Sequence, residues 1–198
     1  MSPDRATIFI GVRTRGATAA IAGADNARRQ RAVLDTLRAL GETAEDLSTV
    51  NYNVAPEYQY AQNGEIPPRV TGYTVTNTVR AEVRKLEDVG RLIDGALGKG
   101  ANEISSLQFY SSKADSARRL ALMRAVVNAR ADADALAAAA GGSVGALIEL
   151  SSSESAPRPQ PRVMAAQMAA AKVTPVEAGE QSFFASVSAR WAYLSRRD

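Results

Sequence analysis

The sequence predicts an α+β protein: a mixed β-sheet of about six strands with three helices, in the order β-α-β-β-α-β-α-β-β. Three observations lead there. Residues 69–84 alternate apolar and polar side chains, the period of a half-buried strand. Apolar residues recur at helical spacing over 33–40 and 86–96. Helical runs end on glycine, at Gly41, at Gly98 and Gly100, and at Gly141-Gly142, where a left-handed residue can close the last turn. The 198 residues read as one domain with sub-lobes 1–70 and 71–198 and a flexible loop at 152–180. A chain of this size buries roughly two-thirds of its unfolded surface without metal or disulfide staples.

In order, Arg5 to Arg13 is β-branched and apolar on both faces and reads as a buried strand. Residues 18–40 form a helix whose second half carries Val33, Leu34, Leu37 and Leu40. Arg28, Arg29 and Arg31 interrupt its first half, which is expected to be less buried. Two long strands, 47–60 and 69–84, are joined through Asn63-Gly64 and Pro67-Pro68. On the second, Tyr73, Val75, Val79, Ala81 and Val83 share one face, which Asn77 breaks. Leu86, Val89, Ile93 and Ala96 mark a short helix, and 104–111 a strand. The longest helix runs over 113–140, with Ser112 and Asp115 at capping-box spacing. Its buried stripe is expected to be Leu120, Met123, Val127, Ala131 and Ala138. Strands follow at 144–151 and 182–195, separated by a segment carrying Pro157, Pro159, Pro161 and Pro175. Its central part, 155–174, is expected to be mobile. A weak repeat relates 34–54 to 92–111, each running helix end, glycine, turn, strand.

The chain has no cysteine and no histidine. Thiolate nucleophiles, disulfides and imidazole or thiolate metal sites are thereby excluded, and with them Ser-His-Asp and Cys-His catalysis. No phosphate loop is present, since Gly11, Gly16 and Gly23 fit neither glycine-rich pattern. The expectation is a non-enzyme with no cofactor, no metal and no catalytic residue. Asp132 and Asp134, two apart on a helix, do not face one another and read as surface charge. Met164 and Met168 are too few for a copper site. The formal charge of +3 is spread among acidic residues, so nucleic acid is not an expected partner. No apolar run reaches the roughly 18 residues needed to span a bilayer.

Two features invite a binding role. Tyr52, Tyr58, Tyr60 and Tyr73 cluster around the long hairpin, where aromatics favour a protein interface over nucleobase stacking. Asn77 reads as a polar core residue bonded to a neighbour, or as a ligand contact.

The segment GYTVTNTVRAEVRKLEDVGRLIDGALGKGANEISSLQFYSS (72–112) resembles the SIMPL-domain family of periplasmic and outer-membrane-associated proteins, which includes a periplasmic immunogenic protein. Ser2-Pro3-Asp4, Asn26-Ala27-Arg28, Pro56 with Tyr58, the Gly100-Ala101-Asn102 turn, the alanine-rich 129–140 and Pro175 through Gln181 extend the resemblance over nearly the whole chain. It implies a periplasmic protein whose signal peptide is absent from this sequence. It further implies self-assembly into homo-oligomers, peripheral outer-membrane association, and a link to cell-envelope or oxidative stress defence. The family supplies no catalytic residues. Lys85 departs from it by standing where a helix-capping Asp is common, so the second helix is expected to start less firmly. The alternative expectation is a small-ligand carrier of the periplasm.

Overall fold

A computed structural model describes residues 1–59, 69–154, 158–160 and 174–195. The elements are β1 (Arg5–Gly16), α1 (Ala19–Ala39), β2 (Leu47–Gln59), β3 (Arg69–Val83), α2 (Val89–Gly98), β4 (Glu103–Tyr110), α3 (Ala114–Ala139), β5 (Gly142–Glu154), β6 (Arg158–Gln160), β7 (Glu180–Ser182) and β8 (Ala185–Ser195). The expected α+β order holds. The short strands β6 and β7 are additional and pair antiparallel, β6 within the segment expected to be a flexible loop and β7 at its end.

The chain divides at Tyr110/Ser111, not near residue 70. The reason is hydrogen bonding: β3 pairs with both β1 and β2, so a boundary at 70 would cut a continuous sheet. One unit comprises Asp4–Tyr110 with 164–178, the other Ser111–Val163 and Gly179–Asp198 with the first three residues.

In the first unit the strands lie in the order β2-β3-β1-β4, all antiparallel. Each of the two split β-α-β modules gives one inner and one edge strand, as in ferredoxin-like sheets. This is the physical content of the sequence repeat. Alternation along β1 sends Ala6, Ile8, Ile10 and Val12 to one face, which meets Val33 and Leu37 of α1 and Val89, Leu92 and Ala96 of α2. On β3 the expected apolar face is buried at Val75, Val79, Ala81 and Val83. Thr18 caps α1 by accepting the Ile21 N–H at 3.2 Å. At the other end Gly41, with φ +109°, closes a Schellman turn through Gly41 N–H to Arg38 and Glu42 N–H to Leu37. A single 3₁₀ turn, Leu86–Asp88, precedes α2, and Lys85 offers it no side-chain cap. Thr174, the last residue of the stretch expected to be mobile, is anchored on α2: its hydroxyl donates to Asp94 Oδ1 at 2.6 Å and its N–H to Oδ2 at 3.0 Å. The rest of that stretch, with Met164 and Met168, lies outside the described residues.

Asp46 fastens the start of β2 to the end of β3. Its carboxylate is 6% exposed, takes the Thr43 hydroxyl at 2.6 Å and sits 2.8 Å from the Arg84 guanidinium. The Thr43 hydrogen bond and the Arg84 charge hold the carboxyl below the usual range. A depressed folded pKa stabilises above the unfolded value, and the contribution disappears as pH falls through the folded one. Asp46→Ala should therefore cost about 1–3 kcal/mol near neutral pH, with the difference from wild type shrinking in acid. Paired denaturant melts at pH 7 and pH 3 check this; an equal difference at both would refute it.

In the second unit β5 and β8 form an antiparallel ladder from Gly142↔Ser195 to Glu154↔Ala185. Helix α3 packs on it, but not through the expected stripe. Leu120, Met123, Val127, Ala131 and Ala138 face outward, and Met123 and Val127 are each 66% exposed. The inward row is Leu122, Val126, Ala129, Ala133 and Ala137, because small side chains let the helix lie close to a two-stranded ladder. The N-cap residue is Lys113 and not the expected Ser112; Lys113 makes no side-chain cap bond, while Ser111 Oγ accepts the Lys113 N–H.

Candidate functional site

Strand β2 is an edge: β3 pairs along one side of it, and among the described residues no strand pairs along the other. Alternation places Tyr52, Val54 and Tyr58 on the same face, and they are 58%, 41% and 49% exposed. Val50, beside a register shift between Thr49 and Asn51, and Val70, opposite Tyr58 on β3, are also exposed. The Tyr52 hydroxyl lies over Gly23 of α1, where an added Cβ would come within 3.7 Å of it. Of the tyrosines singled out in the sequence, Tyr52 and Tyr58 thus share one surface. Tyr73, paired with Pro56, is half-buried, and Tyr60 lies outside the described residues.

Behind this surface sits a group of buried amides. Asn26 of α1 is fully buried and donates through Nδ2 to the carbonyls of Val12 at 2.7 Å and Val75 at 3.3 Å. Gln30, one helical turn on and 5% exposed, has no partner for either amide atom among the described residues. The Oδ1 atoms of Asn26 and Asn77 are likewise buried and unpartnered. Asn77 stands opposite Val12 on β1 and Tyr52 on β2. It does break the apolar face of β3, and among the described residues its oxygen has no hydrogen-bond partner. The first half of α1, expected to be the less buried, turns Ala22, Asn26 and Gln30 inward. The signal was present in the sequence: positions 22, 26, 30, 33 and 37 form a continuous helical row, obscured because two of its members are amides.

An unpaired buried amide costs about 1–3 kcal/mol. Gln30→Leu, close in volume and without polar atoms, should raise the melting temperature by about 2–4 °C for each kcal/mol recovered in a chain of this length. A lower melting temperature would show that the amide is hydrogen-bonded in solution.

Several arginines pair with carboxylates at the surface. Arg28 and Arg29 both bond Asp25, at 2.5 and 2.9 Å, and with Arg28 first they lower its carboxyl pKa. Asp134 pairs with Arg130, whose guanidinium stands 5.9 Å over the Trp191 ring. Among the described residues no three acidic side chains gather as a metal site. In the second unit an open apolar groove of about 370 Å³ is lined by Ala133, Leu136, Ala137, Val144, Trp191 and Tyr193. No helix among the described residues is long and apolar enough to cross a membrane.

Comparison with known proteins adds the lineage. The SIMPL family, described as "Protein of unknown function (DUF541)", matches residues 1–191. The 26 kDa periplasmic immunogenic protein of Brucella melitensis is 33% identical over 195 residues, covering 94% of this chain and 78% of that protein. YggE of Edwardsiella ictaluri is 30% identical over 181 residues, covering 90% of this chain and 75% of its own length. YggE of Escherichia coli K12 is 29% identical, with 91% and 72% covered. With the family matched from the first strand into the last, and relatives similar along nearly all of the chain, this protein belongs to the SIMPL family.

Proposed function

We propose that this chain is a non-catalytic periplasmic protein that works as a homo-oligomer, assembled by pairing of β2 with β2 of a second copy. The observation that carries the reading is the β2 edge, 13 residues long, with Tyr52, Val54 and Tyr58 exposed beside it. A long edge strand leaves a row of backbone donors and acceptors for another strand, and soluble proteins rarely leave such an edge apolar and uncovered. A second copy fits, because an antiparallel β2–β2 contact is isologous: each strand offers the same groups to the other about a two-fold axis. Tyrosines bury much area with little entropy loss, which suits them to the centre of such a contact. The exposed Leu120, Met123 and Val127 of α3 are further apolar surface of the kind larger assemblies cover. The periplasm is supported by the name of the Brucella relative, and the lack of histidine and cysteine supports a role in binding. A place in cell-envelope or oxidative stress defence belongs to the same reading.

The test is solution mass. Wild-type protein should scatter light as a dimer or larger at about 10–50 μM, the range in which modest interfaces are populated. Tyr52→Ser with Tyr58→Ser should shift it at least one step toward monomer with an unchanged circular dichroism spectrum. A monomeric wild type, or a double variant of wild-type mass, would end the proposal.

A further inference from the structure

The face of the sheet opposite Tyr52 is polar, and one part of it is built differently from ordinary solvated surface. Arg13 and Arg15 lie two apart on β1, so their side chains rise from the same face about 7 Å apart. They border a hollow of about 270 Å³, closed by Asn53 and Glu57 of β2 and by Thr74 and Thr76 of β3.

Both arginines are held in place. Strand β4 pairs with β1 only as far as Gly11. Beyond it the Asn102 side chain substitutes for a strand, accepting the Arg13 N–H at 2.8 Å and donating to the Arg13 carbonyl at 2.8 Å. The backbone under Arg13 is therefore pinned on the β4 side by one amide. Its Nε donates to Thr76 Oγ1 at 3.4 Å, which orients the guanidinium and leaves both terminal nitrogens with no protein acceptor among the described residues. Arg15 is oriented in the same way: its Nε sits 2.8 Å from Glu57 Oε1, which also takes the Thr74 hydroxyl. Glu57 cancels one of the two positive charges. Arg13 has no carboxylate partner among the described residues, so the hollow keeps a net charge of one cation.

We propose that Arg13 and Arg15 form a binding site for a small oxyanion, a carboxylate or phosphate group, on this polar face. A guanidinium fixed through Nε presents its terminal N–H groups as a fork, which matches two oxygens of a planar or tetrahedral anion. Two such forks on one strand can grip a single group from two sides, and the Thr76 hydroxyl and the Asn53 amide border the same hollow. The hollow has no aromatic side chain on which a base could stack, and its single net charge suits a small anion better than a polyanion. The hollow lies on the face opposite Tyr52, with Asn53 and Glu57 of β2 in its wall, so the mass of each variant is measured beside its titration.

The test is titration of the intact protein with inorganic phosphate and, separately, with acetate, at low ionic strength, followed by amide chemical shifts. At least one anion should saturate with a Kd of roughly 1–10 mM, shifting Arg13, Arg15 and Thr76 most. Arg13→Gln should weaken it by ~10-fold or more, and Arg13→Lys, which keeps the charge and loses the fork, by a smaller factor. Arg31→Gln, a change at an exposed arginine of α1, should have no effect. Response to phosphate alone identifies a phosphate site, and to acetate alone a carboxylate site. No saturation by either anion, or equal weakening by Arg31→Gln and Arg13→Gln, would overturn the proposal. Light scattering on the same samples should show Arg13→Gln at wild-type mass, so failure of the assembly reading would appear in the mass and not in the titration.

Discussion

Val79→Asp should abolish cooperative folding at neutral pH, while Thr78→Asp, the adjacent change, should leave a stable protein. Val79 is 1% exposed on β3, between Ile10 of β1 and Thr49 of β2. The substitution removes a buried side chain worth about 1.5–3 kcal/mol. It also introduces a carboxylate with no partner in the apolar layer between sheet and helices. Together these are on the order of 5 kcal/mol, comparable with the whole stability of many domains. Thr78 points to the polar face opposite Gly11, where a carboxylate stays hydrated and the cost is about 1 kcal/mol or less. The pH dependence has a definite sign. Burial raises the pKa of the new aspartate above its unfolded value, so the penalty is full at high pH and fades as pH falls through the folded pKa toward the unfolded one. Some structure should therefore return in mild acid. Denaturant melts of the two variants decide it, and equal losses would mean that the faces of β3 are assigned the wrong way round.

Gly142→Val should open the β5–β8 ladder while leaving β1 and β3 protected. A Cβ at Gly142 would stand 2.4 Å from the Leu194 carbonyl oxygen and 2.5 Å from two ring carbons of Tyr193. The oxygen belongs to the backbone of the paired strand and cannot swing away. The ring is tethered, because the Tyr193 hydroxyl donates to the Ala140 carbonyl at 2.7 Å. Relief requires breaking the ladder at its first pairs, Gly142↔Ser195 and Ser143↔Leu194, at a cost of about 3 kcal/mol. Gly98→Ala is the control, since nothing lies within 4 Å of a Cβ there and its φ is ordinary; that change should be neutral or slightly stabilising. Amide hydrogen exchange should show faster exchange in β5 and β8 of Gly142→Val and wild-type rates in β1 and β3. Wild-type protection throughout would refute the steric reading.

How legible each element was in the sequence followed from whether its burial was written in large apolar side chains. The β3 alternation could be read directly, since Val75, Val79, Ala81 and Val83 contrast with threonine and charge at every second position. So could the row Val33–Leu37 and the stops at Gly41 and Gly100. Helix α3 could not be phased, because alanine lies on every side of it. Its larger residues, Leu120, Met123 and Val127, suggested one face, while the ladder accepted the face on which Ala133 and Ala137 allow close approach. The inward turn of Asn26 and Gln30 was hidden for the related reason that amides ordinarily mark solvent. Tyr52 and Tyr58 were legible as candidates, but their common exposed surface depends on β2 being an edge.

By itself, then, the sequence determined the α+β order, the buried face of β3, the chemistry excluded by the absence of histidine and cysteine, and the family resemblance. These depend on local periodicity and residue type, which neighbours in the chain are enough to set. Tertiary structure alone decided that β2 is an edge and that the division falls after Tyr110. It also decided that Asn26 reaches the Val12 and Val75 carbonyls, and that Arg13, Arg15, Glu57, Thr74 and Thr76 share one hollow. Each of these depends on which strand lies beside which. That order is set by how two β-α-β modules interleave to bury both helices on one face, a choice made by packing among residues tens of positions apart.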